Sequence, residues 1–190
     1  MNTQRCCRLL PLVGSVLLLG ACATLPAPEP TDPINRHALV RVSTPEPDWP
    51  ALRQRLLTAT AEVHGIEIGG PEVQGLRLQI PVPDGFASGS AEIRPPLAKA
   101  LDTLAAVLAG EGGAAVKVVG HTDSQGSEMV NLQLSITRAE AVAEHLRQRG
   151  IALERLSADG HGEADPLTSN ATDEGRARNR RVELILSRQP

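Results

Sequence analysis

The residues of this chain best suited to chemistry are a carboxylate and a guanidinium close together in sequence. Asp123 follows an apolar run at 115–119, and Arg138 lies within a long stretch of helical periodicity. A carboxylate pairs with an ammonium group, whereas the planar fork of arginine binds a carboxylate through two hydrogen bonds. This pair is therefore suited to non-covalent binding of a small zwitterion.

The periodicity around the pair predicts how it is positioned. Residues 127–149 predict an amphipathic helix that Gly150 ends, with Asn131 and Arg138 together on one shoulder, beside the apolar stripe. That stripe, the predicted core face of the helix, consists of Leu132, Ile136, Ala139, Ala143 and Leu146. Asp123 lies where the preceding strand gives way to a loop, so Asp123, Asn131 and Arg138 are expected to converge. From spacing alone, a loop-capping Asp and a solvated Arg remain the alternative.

The remaining periodicities predict a mixed fold. Helical spacing covers 51–64 and 95–109, with Pro95 in a first turn. Alternation of period two predicts two short strands between Ile66 and Ile80 and another at 181–186, and further strands are predicted at 115–119 and 156–161. The order strand–helix–strand–helix–strand makes the fold class α/β, or α+β with a mixed sheet.

Composition excludes one large class of function. The 190 residues carry 19 basic and 22 acidic side chains, with one Phe, one Trp and no Tyr. Such a chain lacks both the basic surface and the aromatic platforms that bind nucleic acid. We therefore expect no nucleic-acid partner.

The first 22 residues predict export and lipidation. Arg5 and Arg8 precede an apolar run at 9–19, which is short for a membrane span and typical of a signal peptide. The run ends in Leu19-Gly20-Ala21-Cys22, which resembles a bacterial lipobox, so residues 1–21 are a predicted lipoprotein signal peptide and Cys22 the acylated residue. A plain secretory signal or an uncleaved anchor is the alternative.

The chain after Cys22 divides into three predicted segments. Residues 22–50 contain seven prolines and predict an extended linker, which is followed by a helix and hairpin at 51–75 and by the main domain at 76–190. The 51–75 segment either extends the domain or binds a protein partner. The prolines are Pro26, Pro28, Pro30, Pro33, Pro45, Pro47 and Pro50.

A series of short sequence motifs closely resembles those of the OmpA-like peptidoglycan-binding domain, the family of the OmpA C-terminal domain, Pal and MotB. The resemblance covers roughly residues 76–188, and Phe86 and Pro95 also match its opening segment. The matching motifs are Gly120-His121-Thr122-Asp123-Ser124-Gln125-Gly126-Ser127, Asn131, Leu134-Ser135, Arg138-Ala139, Gly160-His161-Gly162 and Gly175-Arg176-Ala177-Arg178-Asn179-Arg180-Arg181-Val182-Glu183-Leu184.

The resemblance implies a fold and a ligand. The implied fold is an OmpA-like β-α-β-α-β sandwich, in which helices pack on one face of a small mixed sheet. In such domains the meso-diaminopimelate of the peptidoglycan stem peptide is bound by the Asp and Arg that correspond to Asp123 and Arg138. By resemblance, Asn131 assists, Thr122, Phe86 and Leu134 line the pocket, and Asn179 and Arg180 are structural or rim residues.

The resemblance also implies a cellular role. It predicts an outer-membrane lipoprotein, facing the periplasm, that anchors the envelope to peptidoglycan without catalysis. The alternative is an accessory subunit of a cell-envelope complex that acts mainly through protein contacts over residues 51–75.

Two further sites are weighed and disfavoured. A metal could be imagined at His121, Asp123, His161 and Glu163, but no paired Cys or His-Glu-x-x-His motif supports one. A hydrolase built from Ser124 or Ser127 with His121 lacks the Gly-x-Ser-x-Gly turn of such enzymes. We expect no catalytic residue, metal or cofactor.

Overall fold

The structure, a computed structural model, describes residues 46–70, 75–83 and 85–189, which belong to one compact unit. The predicted signal peptide, Cys22 and most of the proline-rich linker lie outside the described residues. The strands are β1 (Glu67–Gly69), β2 (Gly75–Pro81), β3 (Ala114–His121), β4 (Leu156–Gly160) and β5 (Arg181–Arg188). The α-helices are α1 (Trp49–Ala59), α2 (Pro95–Leu108), α3 (Glu128–Gln148) and α4 (Asp173–Asn179), with one 3₁₀ turn at Leu153–Arg155.

The described strands form one mixed sheet in the order β1-β2-β5-β3-β4. β3 and β4 run parallel, with α3 as their crossover, and the other neighbours are antiparallel. The C-terminal strand β5 lies at the centre, paired to β2 on one side and β3 on the other. The predicted α+β class with a mixed sheet is confirmed.

One face of the sheet builds the hydrophobic core. Alternate residues of the three central strands are buried beneath α1, α2 and α3, because successive strand residues point to opposite faces. They are Leu76, Leu78, Ile80, Val116, Val118, Val182, Leu184 and Leu186. The other face of β3 is mixed, since Lys117 is exposed whereas Val119 and His121 are buried.

The first helix begins and ends earlier than its predicted range of 51–64. Asp48 caps it by accepting a hydrogen bond from the backbone N–H of Ala51 at 3.1 Å, and Pro50 occupies the first turn, where it has no hydrogen bond to lose. The helix ends at Ala59, and Thr60 closes it by donating its backbone N–H and its hydroxyl to Leu56 O.

The buried face of α3 differs from the predicted stripe. Leu132, assigned to the core, is 39% exposed, whereas Asn131, Ser135 and Arg138 are buried. The reason lies in the sheet: a Cβ on Gly120 would be 2.2 Å from Ser135 O, so the backbone of α3 packs directly on this glycine. The small residue Ser135 therefore faces the sheet at that point. The buried face of α3 is rotated from Leu132 toward Ser135 and Arg138.

Helix α4 was not predicted. Thr172 caps it through a hydrogen bond from Gly175 N–H at 3.1 Å, and acidic residues precede basic ones, as the helix dipole favours. The seven residues of α4 include one apolar side chain, so the sequence shows no helical periodicity there.

Across the stretches that the structure describes, no helix has the length and apolar character needed to cross a membrane.

Candidate functional site

Asp123 lies directly beyond the end of β3 and is buried, with 7% of its surface exposed. Its Oδ1 accepts a hydrogen bond from the backbone N–H of Gln125 at 3.1 Å. Its Oδ2 accepts one from Arg180 Nη1 at 2.6 Å, which makes a salt bridge. β5 begins beside the end of β3, since His121 pairs with Arg181, and this register brings Arg180 to Asp123.

Arg138 enters the same region from the middle of α3. Its Nε donates to the backbone oxygen of Ser90 at 3.0 Å, and its Cζ lies 4.8 Å from the centre of the Phe86 ring, a cation–π contact. Its two η nitrogens make no hydrogen bond with any described residue. The guanidinium is thus held in place while its bidentate edge stays available.

The electrostatic setting of Arg138 favours an anion. Burial lowers the pKa of its guanidinium, the positive charge of Arg180 lowers it further, and Asp123 opposes both. Arginine nevertheless stays protonated in proteins. The charge is therefore maintained at a free-energy cost, which a bound carboxylate would reduce.

Asn131 braces the loop that carries Asp123. Its Nδ2 donates to Asp123 O at 3.2 Å and to Glu163 Oε2 at 2.7 Å, which connects α3, the β3 end and the loop after β4. Both of its amide hydrogens are thereby used within the protein. Ser127 starts the helix by accepting from Val130 N–H at 3.4 Å, which sets the position of Asn131 one turn later.

These side chains surround a single cavity of about 400 Å³. It brings together all six residues predicted for the ligand site: Phe86, Thr122, Asp123, Asn131, Leu134 and Arg138. Thr122 Oγ1 is buried and lacks a hydrogen-bond partner among the described residues. A buried hydroxyl without a hydrogen-bond partner has a free-energy cost.

The sequence analysis did not identify Arg94 as a cavity residue, and it did not predict the contact between Arg180 and Asp123. Arg180, expected to be structural or a rim residue, forms the salt bridge to Asp123, and Arg94 lines the cavity at the start of α2. The expectation of an Asp123 whose carboxylate awaits a ligand is incomplete, since Arg180 already occupies one oxygen. The strand order would have revealed Arg180, because the chain enters β5 beside the end of β3.

The residues considered for a metal site or a hydrolase have the following surroundings. His121 is buried on the sheet face opposite Val118 and Gly120, and its ring nitrogens make no hydrogen bond with a described residue, although Nε2 lies 3.9 Å from Glu183 Oε1. Burial lowers its pKa to about 4, with Arg181 adding to that effect and Glu183 opposing it. Ser127 Oγ is engaged in capping α3 rather than bonded to a histidine. Within residues 46–70, 75–83 and 85–189, no group of three or more His, Cys, Asp or Glu could hold a metal ion.

The sequence model of the OmpA family matches residues 85–180, a range that includes the six predicted ligand-site residues. The chain belongs to the OmpA family. Among curated OmpA relatives, it is 44% identical to the probable lipoprotein YiaD of Escherichia coli K12 over 102 residues, which cover 54% of this chain and 47% of YiaD. It is 35% identical to the peptidoglycan-binding protein ArfA of Mycobacterium tuberculosis H37Rv over 172 residues, or 86% of this chain and 50% of ArfA.

The chain therefore spans about half the length of these curated relatives. Among solved structures, a MotB-like protein of Desulfovibrio vulgaris matches with a TM-score of 0.66 and 29% identity, over 75% of this chain and 92% of that one. The cell wall anchor of the type VI secretion system of Pseudomonas aeruginosa matches with a TM-score of 0.63 and 31% identity, over 70% and 95%. The OmpA-like fold is thereby confirmed.

Proposed function

We propose that this OmpA-family chain binds the meso-diaminopimelate of peptidoglycan stem peptides non-covalently. The observation that carries the proposal is that Asp123 and Arg138 line the same cavity. The η nitrogens of Arg138 make no hydrogen bond with a described residue. The side-chain stereocentre of diaminopimelate bears an ammonium and a carboxylate on one carbon. Arg138 takes the carboxylate bidentately, and Asp123 takes the ammonium.

Asp123 can serve the ligand and Arg180 together. A carboxylate offers about four lone-pair sites, and the protein uses two of them, one on each oxygen. The ammonium takes a remaining site, while Arg180 keeps the carboxylate oriented. A stem with lysine at this position lacks the second carboxylate and leaves Arg138 unpaired, so diaminopimelate-type walls are preferred.

Binding at one such site is weak and gains from multiplicity. Hydrogen bonds to charged groups contribute roughly 1.5–3 kcal/mol each before the cost of association. Many copies facing one polymer raise the effective concentration and hold the wall firmly. This arrangement serves a tether, and the relatives named as a peptidoglycan-binding protein and a cell wall anchor support that role.

The same proposal covers the placement of the chain. Residues 1–21 act as a lipoprotein signal peptide, Cys22 as the lipidated residue, 22–50 as the linker, 51–75 as an extension and 76–190 as the binding domain, at the periplasmic side of the outer membrane. The similarity to the probable lipoprotein YiaD supports the lipid anchor. No catalytic step is part of the proposal.

A second candidate is a subunit of an envelope machine, favoured by the similarity to the type VI secretion anchor. In this alternative, the protein contacts are made over residues 51–75. One side of α1 is not available for such contacts, because Trp49, Leu52 and Leu56 belong to the hydrophobic core. A protein partner would therefore meet only its outer surface.

Co-sedimentation with diaminopimelate-type sacculi tests the proposal. The wild-type protein is expected to pellet, and Asp123→Ala and Arg138→Ala are each expected to stay in the supernatant while keeping a native circular dichroism spectrum. Arg147→Ala, on the exposed side of the same helix, is the matched control and should pellet like the wild type. A wild type that stays soluble, or mutants that pellet equally, would exclude wall binding by this pair and direct the search to a protein partner.

A further inference from the structure

The cavity that contains Asp123 and Arg138 carries more positive than negative charge. Arg94, Arg138 and Arg180 line it, and Asp123 is the one acidic residue among its lining residues. Among the described residues, Arg180 pairs with Asp123, whereas neither Arg94 nor Arg138 has an acidic partner within salt-bridge distance. Within the described residues, two of the three cations therefore have no ion-pair partner.

A single zwitterion does not correct this imbalance. The ammonium and carboxylate at the end of diaminopimelate cancel one another, so the cavity would keep two excess positive charges after binding it. Arg138 would have its carboxylate, and Arg180 would keep Asp123. Arg94 alone would face the cavity without an anion.

The position of Arg94 is well defined even though its side chain is exposed. Its backbone N–H donates to Gly85 O at 2.9 Å, and its carbonyl accepts from Ala98 N–H at 3.0 Å as the N-cap of α2. It therefore approaches the cavity from a different element than Arg138. The positive end of the α2 dipole lies at the same point and adds to the attraction for an anion.

We infer that the cavity binds a second carboxylate of the stem peptide, at Arg94. The inference rests on the proposed function, and it adds a requirement for the part of the ligand beyond the diaminopimelate end. A stem tripeptide offers two sources: the α-carboxylate of its γ-linked D-glutamate, which is free unless amidated, and its terminal carboxylate. Amidation of the wall at the group used then weakens attachment.

Calorimetric titration of the full-length protein with three soluble muropeptides tests this inference. The ligands are a disaccharide tripeptide with all carboxylates free, its D-glutamate α-amide, and its terminal amide. The wild type is expected to bind one of the two amides roughly three- to fivefold more weakly than the free acid, as befits a partly exposed ion pair. The amide that shows the loss identifies the carboxylate.

Two variants assign the effect to Arg94. Arg94→Gln should bind all three ligands alike, at the wild-type affinity for the discriminated amide. Lys99→Gln removes a positive charge from the same helix outside the cavity, and it should discriminate like the wild type.

The outcomes separate this inference from the function on which it rests. If the wild type binds all three ligands equally, the second-carboxylate site is wrong while diaminopimelate binding stands. If Arg94→Gln still discriminates, Arg94 is not the residue involved, and the inference is overturned. If the wild type binds none of the ligands, the proposed function itself fails.

Discussion

Arg138, a residue of the proposed ligand site, lies in a setting that opposes the stability of the fold. Its guanidinium is buried beside Arg180, and both features lower its pKa, which means that folding places this charge in an unfavourable setting. Its one hydrogen bond within the described protein goes to Ser90 O. The arginine is thus better explained by a ligand than by the fold.

We therefore predict that Arg138→Met abolishes sacculus binding with little loss of stability. The methionine fills the apolar part of the space beside Phe86, and removal of the charge offsets the lost Ser90 bond, whose net worth is about 1 kcal/mol. Urea denaturation should show a free energy of unfolding lowered by no more than that amount. A drop of several kcal/mol would mean that Arg138 is structural.

His121 does not line the proposed ligand cavity, and its lowered pKa makes the stability of the protein depend on pH. Burial and Arg181 lower its pKa to about 4 in the folded state, against Glu183, whereas the unfolded chain has the ordinary value of 6.5. Between these values the unfolded state binds a proton that the folded state does not. Stability is therefore complete above about pH 6.5 and declines as the pH falls toward 4.

The expected loss over that window is up to about 3 kcal/mol for this group. His121→Leu should show a flatter dependence of unfolding free energy on pH, and it should be at least as stable at pH 7, since the ring nitrogens make no hydrogen bond with a described residue. Denaturant titrations of both proteins at pH 7, 6, 5 and 4 measure the difference. Parallel curves would show that His121 does not titrate in this range.

At the level of elements, the site depends on how closely α3 approaches the sheet. Gly120 on β3 and Gly160 on β4 are paired neighbours, and a Cβ on either would meet α3 atoms at 2.2–2.4 Å. α3 carries both Asn131 and Arg138, so its distance from β3 sets their distance from Asp123. Two glycines that do not line the cavity therefore set the positions of the proposed ligand-site residues on α3.

Gly120→Ala tests this arrangement. We expect it to displace α3, to destabilise the fold by about 1–3 kcal/mol or more, and to weaken sacculus binding. Gly112→Ala is the control, because a Cβ there meets nothing within 4 Å and should change stability by at most about 0.5 kcal/mol. Equal stability and binding in both variants would refute the close approach.

At the scale of the whole molecule, α1 forms part of the same core as the binding domain. Trp49, Leu52 and Leu56 are buried with α2 and β2 residues in one cluster. The segment that sequence reasoning left open, as an extension or a docking element, thus contributes one buried face to the domain.

A matched pair of leucines measures that contribution. Leu56 is fully buried and Leu57, its neighbour, is 38% exposed. Leu56→Ala should cost about 2–5 kcal/mol, whereas Leu57→Ala should stay within about 0.5 kcal/mol. Trp49 is the one tryptophan, so its fluorescence reports the unfolding of α1 together with the core. A small effect of Leu56→Ala would show that α1 is peripheral.

The sequence by itself determined the family and the mixed fold, and it predicted the residues that are proposed to bind the ligand. Sequence patterns predicted the five strands and the three long helices of the described residues, and the motifs around Asp123 and Arg138 indicated six residues that line one cavity. Periodicity and short motifs are properties of nearby residues in the sequence, so these features could be predicted without the tertiary structure. The seven-residue α4 has too little periodicity to be seen this way.

Only the tertiary structure decided which distant residues complete the site. Arg180 reaches Asp123 because β5 pairs beside β3, and Arg94 reaches the cavity because α2 begins there. The buried side of α3 was likewise set by the glycines beneath it, which placed Leu132 at the surface. Such contacts depend on strand order and packing distance, and neither is encoded in the spacing of nearby residues.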